Sequence, residues 1–319
     1  MRKLPGAPVF LITLALFFLS GCGGLKNLLP SSSDKHYQRM LEQQKMKAAA
    51  SEDPELPDKL PENDPEAFER MGDAYLKQGN LDMAFIQYRK ALRIDSGRLG
   101  TRQKIGYLYL KKGLGAEALN EFNIVLAKDQ RNTSALQGKA NALVQLNRLP
   151  EAEKVLQEVT DIDGRSWQSY LLFGTVYDRQ KRYEEATVAY RKVLDINPKS
   201  ASAYNNLGVS LFLMGKYRES AESLLSAISI DPSNSQSYNN LGLSLFKLGK
   251  YSEALETLKK GGDEASAYNN MGVLYLEEKK YDQAIEYFEK AIEAKPSYYE
   301  SAHAGLKKAK AALKSETKP

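Results

Sequence analysis

The chain has 319 residues, of which 27% are charged, with 45 lysines and arginines against 40 aspartates and glutamates and a formal charge of +5. So slight an excess does not by itself argue for a nucleic-acid partner. One cysteine and two histidines leave no intramolecular disulfide and no plausible metal cage, and no phosphate-cradling glycine loop or Gly-x-Ser-x-Gly elbow is present. The carboxylates are scattered over helix exteriors, so the chain reads as non-enzymatic, with no cofactor, metal or small-molecule substrate.

At the N-terminus Arg2 and Lys3 precede an apolar run over residues 9–19, too short to span a bilayer and read as the core of a signal peptide over residues 1–21. Leu19-Ser20-Gly21-Cys22 follows at once, and Cys22 is the only cysteine. This segment resembles the lipobox of bacterial lipoproteins. The resemblance implies cleavage after Gly21, a diacylglycerol on the Cys22 thiol and acylation of the new amine. One chain, at about 0.8 kcal/mol per buried CH₂, anchors only marginally, whereas two or three hold. The family's inner-membrane retention signal is an aspartate next to the cysteine, where this chain has Gly23. The resemblance therefore implies a lipid-anchored protein on the periplasmic face of an outer membrane. Losing Arg2 and Lys3 takes two charges from +5 and leaves +3.

Residues 22–64 read as the lipidated N-terminus and a flexible linker. Pro30 stands among serines, and Pro54, Pro57 and Pro61 stand among acidic residues, a composition that cannot bury enough apolar surface to stay folded. Residues 34–49, with Tyr37, Met40, Leu41 and Met46, could form a short helix, but the pattern is weak.

From Pro65 onward one period dominates. Gly72, Gly106, Ala140, Gly174, Gly208 and Gly242 are each 34 residues apart, and Gly272 follows after 30. Twelve residues after this small column comes a second, from Ala84 to Ala284, and four further on a bulky one: Tyr88, Phe122, Leu156, Tyr190, Leu224, Leu258 and Phe288. Spacings of three and four predict two amphipathic helices per unit. Gly79, Gly113, Asn147, Gly215 and Gly249 mark the turn between them, and Pro198, Pro232 and Pro296 stop the second helix. These columns resemble the tetratricopeptide repeat family in seven copies, over residues 65–98, 99–132, 133–166, 167–200, 201–234, 235–264 and 265–298. The resemblance implies an all-α, right-handed superhelical solenoid whose core is supplied by stacking. Arg102 stands where a large residue is expected in the second copy, and the sixth copy is four residues short, which predicts a weakly packed joint with the seventh. Residues 299–319 read as a capping helix and tail, with Lys307, Lys308, Lys310 and Lys314 outward.

In such arrays the first helix of each unit lines the inner wall. Its exposed stripe is read as Asn205 and Asn206, Asn239 and Asn240, and Asn269 and Asn270, followed by Val209 and Phe212, Leu243 and Phe246, and Val273 and Leu276. Stacked amides offer donors and acceptors to an extended backbone, and the apolar strip suits hydrophobic anchors. The opposing reading is that the amides satisfy neighbouring groups and the apolar residues are buried between units. A cationic excess over residues 88–112, including Arg98, Arg102, Lys104, Lys111 and Lys112, is opposed within that window only by Asp95. It is either a solvated face or a contact for anionic headgroups or an acidic partner.

The resemblance implies a protein or peptide partner held in the inner groove. In layout the chain looks like pilus-assembly and secretin-pilotin lipoproteins, which implies a scaffold assisting a pilus or secretion complex. An adaptor for cell-wall enzymes or polysaccharide export, or a groove holding lipid or glycan directly, are the alternatives.

Overall fold

Each period folds as a helix, a tight left-handed turn and a second helix, because its apolar columns recur at helical spacing and a left-handed residue separates them. The computed structural model describes residues 64–295 and 299–316, with Arg39 and Glu42 as isolated positions. Two units are distinguished, Met1–Leu60 and Pro61–Pro319, and the second is described below. The signal peptide, Cys22, residues 22–63 apart from those two positions, and Pro296 lie outside the described residues.

Among the described residues all regular structure is helical. The seven pairs are α1 (Pro65–Lys77) and α2 (Leu81–Ile94); α3 (Leu99–Lys111) and α4 (Gly115–Leu126); α5 (Thr133–Gln145) and α6 (Leu149–Ile162); α7 (Trp167–Arg179) and α8 (Tyr183–Ile196); α9 (Ala201–Leu213) and α10 (Tyr217–Ile230); α11 (Ser235–Lys247) and α12 (Tyr251–Gly261); α13 (Glu264–Glu277) and α14 (Tyr281–Ala294). The last helix, α15 (Glu300–Glu316), packs on α14 through buried Ala302, Gly305 and Ala309. First helices of successive repeats also touch one another (α3 with α5, α9 with α11), which places them on the inner wall. This is the α-solenoid that the repeat spacing predicts.

The turn inside every repeat holds one residue at positive φ: Gly79, Gly113, Asn147, Lys181, Gly215, Gly249 and Lys279. Five of these carry the glycine or asparagine expected for a left-handed helix end. Lys181 and Lys279, at φ 61° and 58°, take the same conformation against their own side-chain sterics, so the turn is imposed by the packing of the pair. Asn80, Asn132, Ser200, Asn234 and Asp263 cap helix starts by accepting from backbone N–H groups two or three residues on. Pro198 and Pro232 stand two residues past the ends of α8 and α10.

The small column exists to receive the bulky one. A Cβ placed on Gly72 would lie 2.4 Å from the Tyr88 ring, and one on Gly208 would lie 2.6 Å from Leu224. Phe122 is sandwiched between Gly106 of its own repeat and Gly138 of the next, and Phe288 between Gly272 and Gly305. The side chain on the second helix thus closes its own pair and the junction that follows.

The shortened sixth repeat closes tightly on its own helix pair. Gly261 ends α12 buried against the start of α11, so close that a Cβ would fall 2.8 Å from Asn239 Oδ1 and 3.0 Å from the Ser235 carbonyl oxygen. Leu258 and Ala265 are buried on either side, and Lys259 Nζ pairs with Glu264 at 3.0 Å while lying 5.2 Å from the Tyr268 ring centroid. The missing turn is compensated by a glycine that lets two helix ends approach.

Candidate functional site

The inner wall is held together by a column of polar side chains three residues ahead of the small column. In the first, second, third and fifth repeats it reaches the start or body of the next repeat's first helix, and in the fourth Leu171 replaces it. Glu69 accepts from Arg98 Nη2 at 2.7 Å, Thr101 Oγ1 at 2.9 Å and Lys104 Nζ at 2.7 Å. Gln103 donates to Asn132 Oδ1 at 2.6 Å, and Gln137 donates to Ser166 Oγ at 2.7 Å. Asn205 Oδ1 accepts from Ser237 Oγ at 3.2 Å and from Asn240 Nδ2 at 3.0 Å.

Asn205 therefore belongs to this column of staples. It is buried, contrary to the exposed stripe read from the sequence, because its amide satisfies the next helix. Asn239 and Asn269 hold the same position. Asn239 sits over Gly261, and Ala267 replaces the hydroxyl that Ser237 supplies one repeat earlier. Asn269 Oδ1 is buried with no hydrogen-bond partner among the described residues.

The second asparagines, Asn206, Asn240 and Asn270, are half-buried one position further round the helix. Asn206 Oδ1 accepts from Asn205 Nδ2 at 3.2 Å, so the amides form a connected polar edge rather than an open ladder. Beside that edge the structure brings together Val209, Phe212 and Leu243 with Asn240, Gly208 and Leu224 in an apolar cleft of about 200 Å³. Leu213 completes it at 50% exposure. Sequence reasoning missed Leu213, although a signal was there: the same position carries Lys77, Lys111, Gln145, Arg179, Lys247 and Glu277 in the other repeats.

Three apolar candidates lie elsewhere. Phe246 is in the core at 1% exposure, with its ring edge-on to Tyr251 and Tyr275 at 4.9 Å, so it cannot serve as a groove contact. Val273 is exposed and Leu276 packs against the C-terminal core, and neither lines the cleft.

The cationic patch is mostly neutralised. Arg98 and Lys104 are bound to Glu69, Lys104 also to Asp73 at 2.8 Å, Arg102 to Glu121 at 3.1 Å, and Lys112 to Asp82. Lys111 stays exposed. The carboxylates come from neighbouring helices 19 to 35 residues away, beyond the window in which the excess was counted.

Burial acts to raise the Glu69 carboxyl, but hydrogen bonds from Lys104, Arg98 and Thr101 outweigh it and bring the pKa down to about 2. A folded-state value below the unfolded one means the contribution is complete above about pH 4.5 and is lost as pH falls toward 2. Glu69→Gln is expected to be less stable than the parent at neutral pH, and the gap in urea unfolding should shrink by about half or more between pH 5 and pH 3. A gap that stays constant over that interval would exclude the carboxylate as its source. Asp178 behaves oppositely: burial raises its pKa despite hydrogen bonds from Ser210 Oγ and the Tyr190 hydroxyl.

Among the described residues no group of three or more His, Cys, Asp or Glu side chains is placed to hold a metal ion, and no helix is long and apolar enough to cross a membrane.

The model of the cilia and flagella-associated protein 70 C-terminal domain, a tetratricopeptide repeat family, matches residues 29–269, and the model of the tetratricopeptide repeat matches residues 265–298. The chain belongs to this tetratricopeptide repeat family. Such repeats are protein-interaction modules and are in general non-catalytic. A tetratricopeptide repeat protein from Parabacteroides merdae has a similar structure, with a TM-score of 0.57 at 21% identity over 77% of this chain and 98% of that one. TTC0263, a thermophilic tetratricopeptide repeat protein of Thermus thermophilus, gives a TM-score of 0.49 at 20% identity, over 60% of this chain and 100% of its own. YrrB, described as a tetratricopeptide repeat protein with an unusual peptide-binding site, gives 0.46 at 22% identity, over 57% and 96%. At these identities the likeness concerns the fold alone. Among curated proteins there is no match.

Proposed function

We propose that this tetratricopeptide repeat protein is a lipid-anchored scaffold of the bacterial envelope that holds a segment of another protein in the cleft between α9 and α11. The observation that carries the binding half is that cleft: Val209, Phe212, Leu213 and Leu243 around about 200 Å³, edged by Asn240. Its volume suits one large apolar side chain, and the neighbouring amides suit the backbone on either side of it. The partner segment is therefore extended or helical, largely uncharged, and carries a leucine- or phenylalanine-sized anchor.

The lipobox ending at Cys22 supports the anchoring half, and Gly23 favours the outer membrane. A proline- and serine-rich stretch between anchor and array supports a scaffold displayed away from the bilayer. That layout favours assistance to a pilus or secretion complex on the periplasmic side.

Two measurements test the halves separately. Cys22→Ser should move the protein from the membrane fraction to the soluble fraction; firm retention in the membrane refutes the anchor. Panning a random peptide library against the chain, with Leu243→Lys as counter-selection, should enrich peptides with one large apolar residue among uncharged ones. Peptides retained equally by both proteins would refute the cleft.

A further inference from the structure

The fourth repeat carries a second apolar feature, with no residue in common with the cleft. Tyr170, Phe173 and Tyr177 run along α7, with Phe173 and Tyr177 stacked at 5.7 Å and 17°, and form the floor of a groove of about 660 Å³ between α6 and α8. The groove stays open because Ala189 stands where the seventh repeat has Tyr287, whose ring stacks on Tyr275 at 5.3 Å and fills the corresponding space. On its α8 wall Val188 is 66% exposed, more than any other large hydrophobic side chain described.

The charges around Val188 are arranged symmetrically in position and oppositely in sign. Glu184 and Glu185 lie four and three residues before it, and Arg191 and Lys192 lie three and four after it, all exposed on the groove-lining face. Among the described residues no ion pair engages Glu184, Arg191 or Lys192, while Glu185 is shared with Arg182 at 2.6 Å. A two-fold axis through Val188 brings a second α8 antiparallel to the first. Glu184 then faces Lys192 of the other copy, Glu185 faces Arg191, and the two valines meet at the centre beside the open grooves. A parallel arrangement would set acid against acid and base against base. A patch that is its own complement under a two-fold operation defines an isologous interface, and the charge pattern selects its direction.

We propose that the chain forms a two-fold dimer through antiparallel α8 helices centred on Val188. The groove shares no residue with the cleft, so each assembly presents two clefts. The test uses the full chain carrying Cys22→Ser, which removes its one thiol. Sedimentation velocity over a concentration series should show a reversible dimer, and Val188→Glu should raise its dissociation constant at least tenfold. Glu184→Lys and Lys192→Glu should each weaken self-association, whereas their equimolar mixture should pair. Val188→Cys should form an intermolecular disulfide under mild oxidation much faster than Val273→Cys, whose side chain is exposed on α13. A monomer at every concentration, a dimer indifferent to Val188→Glu, or equal crosslinking at the two positions overturns the proposal.

Discussion

Replacing Gly174 with leucine is expected to lower the stability of the array by about 3 kcal/mol, the sum of overpacking and a broken hydrogen-bond chain. A Cβ at this position would stand 2.3 Å from Tyr190 Cε1 and 2.5 Å from Cζ. The ring cannot swing aside, because it is 1% exposed and its hydroxyl donates to Asp178 Oδ2 at 2.7 Å. The other oxygen of Asp178 accepts from Ser210 Oγ at 2.6 Å, so displacing Tyr190 also disturbs the link to the fifth repeat. Gly79→Ala makes the useful comparison: nothing lies within 4 Å, and only the φ of 77° opposes the change, at about 1 kcal/mol. Urea unfolding of both variants checks the order. If Gly174→Leu were no worse than Gly79→Ala, the glycine column would not be a packing requirement.

The second large effect concerns Arg102, the departure from the pattern in the second repeat. Its guanidinium meets Glu121 on α4 at 3.1 Å, and Glu121 is 1% exposed, with Arg89 at 4.0 Å on its other side. Removing one member of a buried ion pair leaves a charge short of compensation in a low-dielectric setting. Arg102→Met keeps the length and apolar stem but removes the charge, and is expected to cost about 3 kcal/mol. The double variant Arg102→Met with Glu121→Met should recover most of that loss in thermal or urea unfolding. A double variant as unstable as the single one would show that the loss does not come from the weakened compensation of Glu121.

Arg102 also shows how far the sequence could be read. The glycine, alanine and bulky columns are properties of single positions repeated along the chain, so helices, turns and their pairing were visible without coordinates. The partners of charged and amide side chains were not. Glu69, Asp82 and Glu121 neutralise cations that a local window counts as an excess, because a neighbour in a solenoid lies a full repeat away in sequence. The same blindness explains the asparagine pairs. Asn205 and Asn206 are adjacent and chemically identical, yet one is buried against the next helix and the other is half-exposed. Comparing Asn205 with Glu69, Gln103 and Gln137 at the equivalent position would have marked it as a staple. Phe246 and Phe212 share a column too, and each packs on the tyrosine that opens its second helix, Tyr251 and Tyr217; Phe246 alone gains a further ring, Tyr275, where the preceding repeat has Leu245.

The reach of the staples has a consequence for how the chain matures. The side-chain bonds that join successive inner-wall helices span at most 35 residues among those described. Contacts so local in sequence favour rapid folding and need no distant segment to be present. As the chain is synthesised, each repeat can dock as soon as its successor has emerged, so the array can assemble vectorially and leave little unfinished surface waiting for the C-terminus.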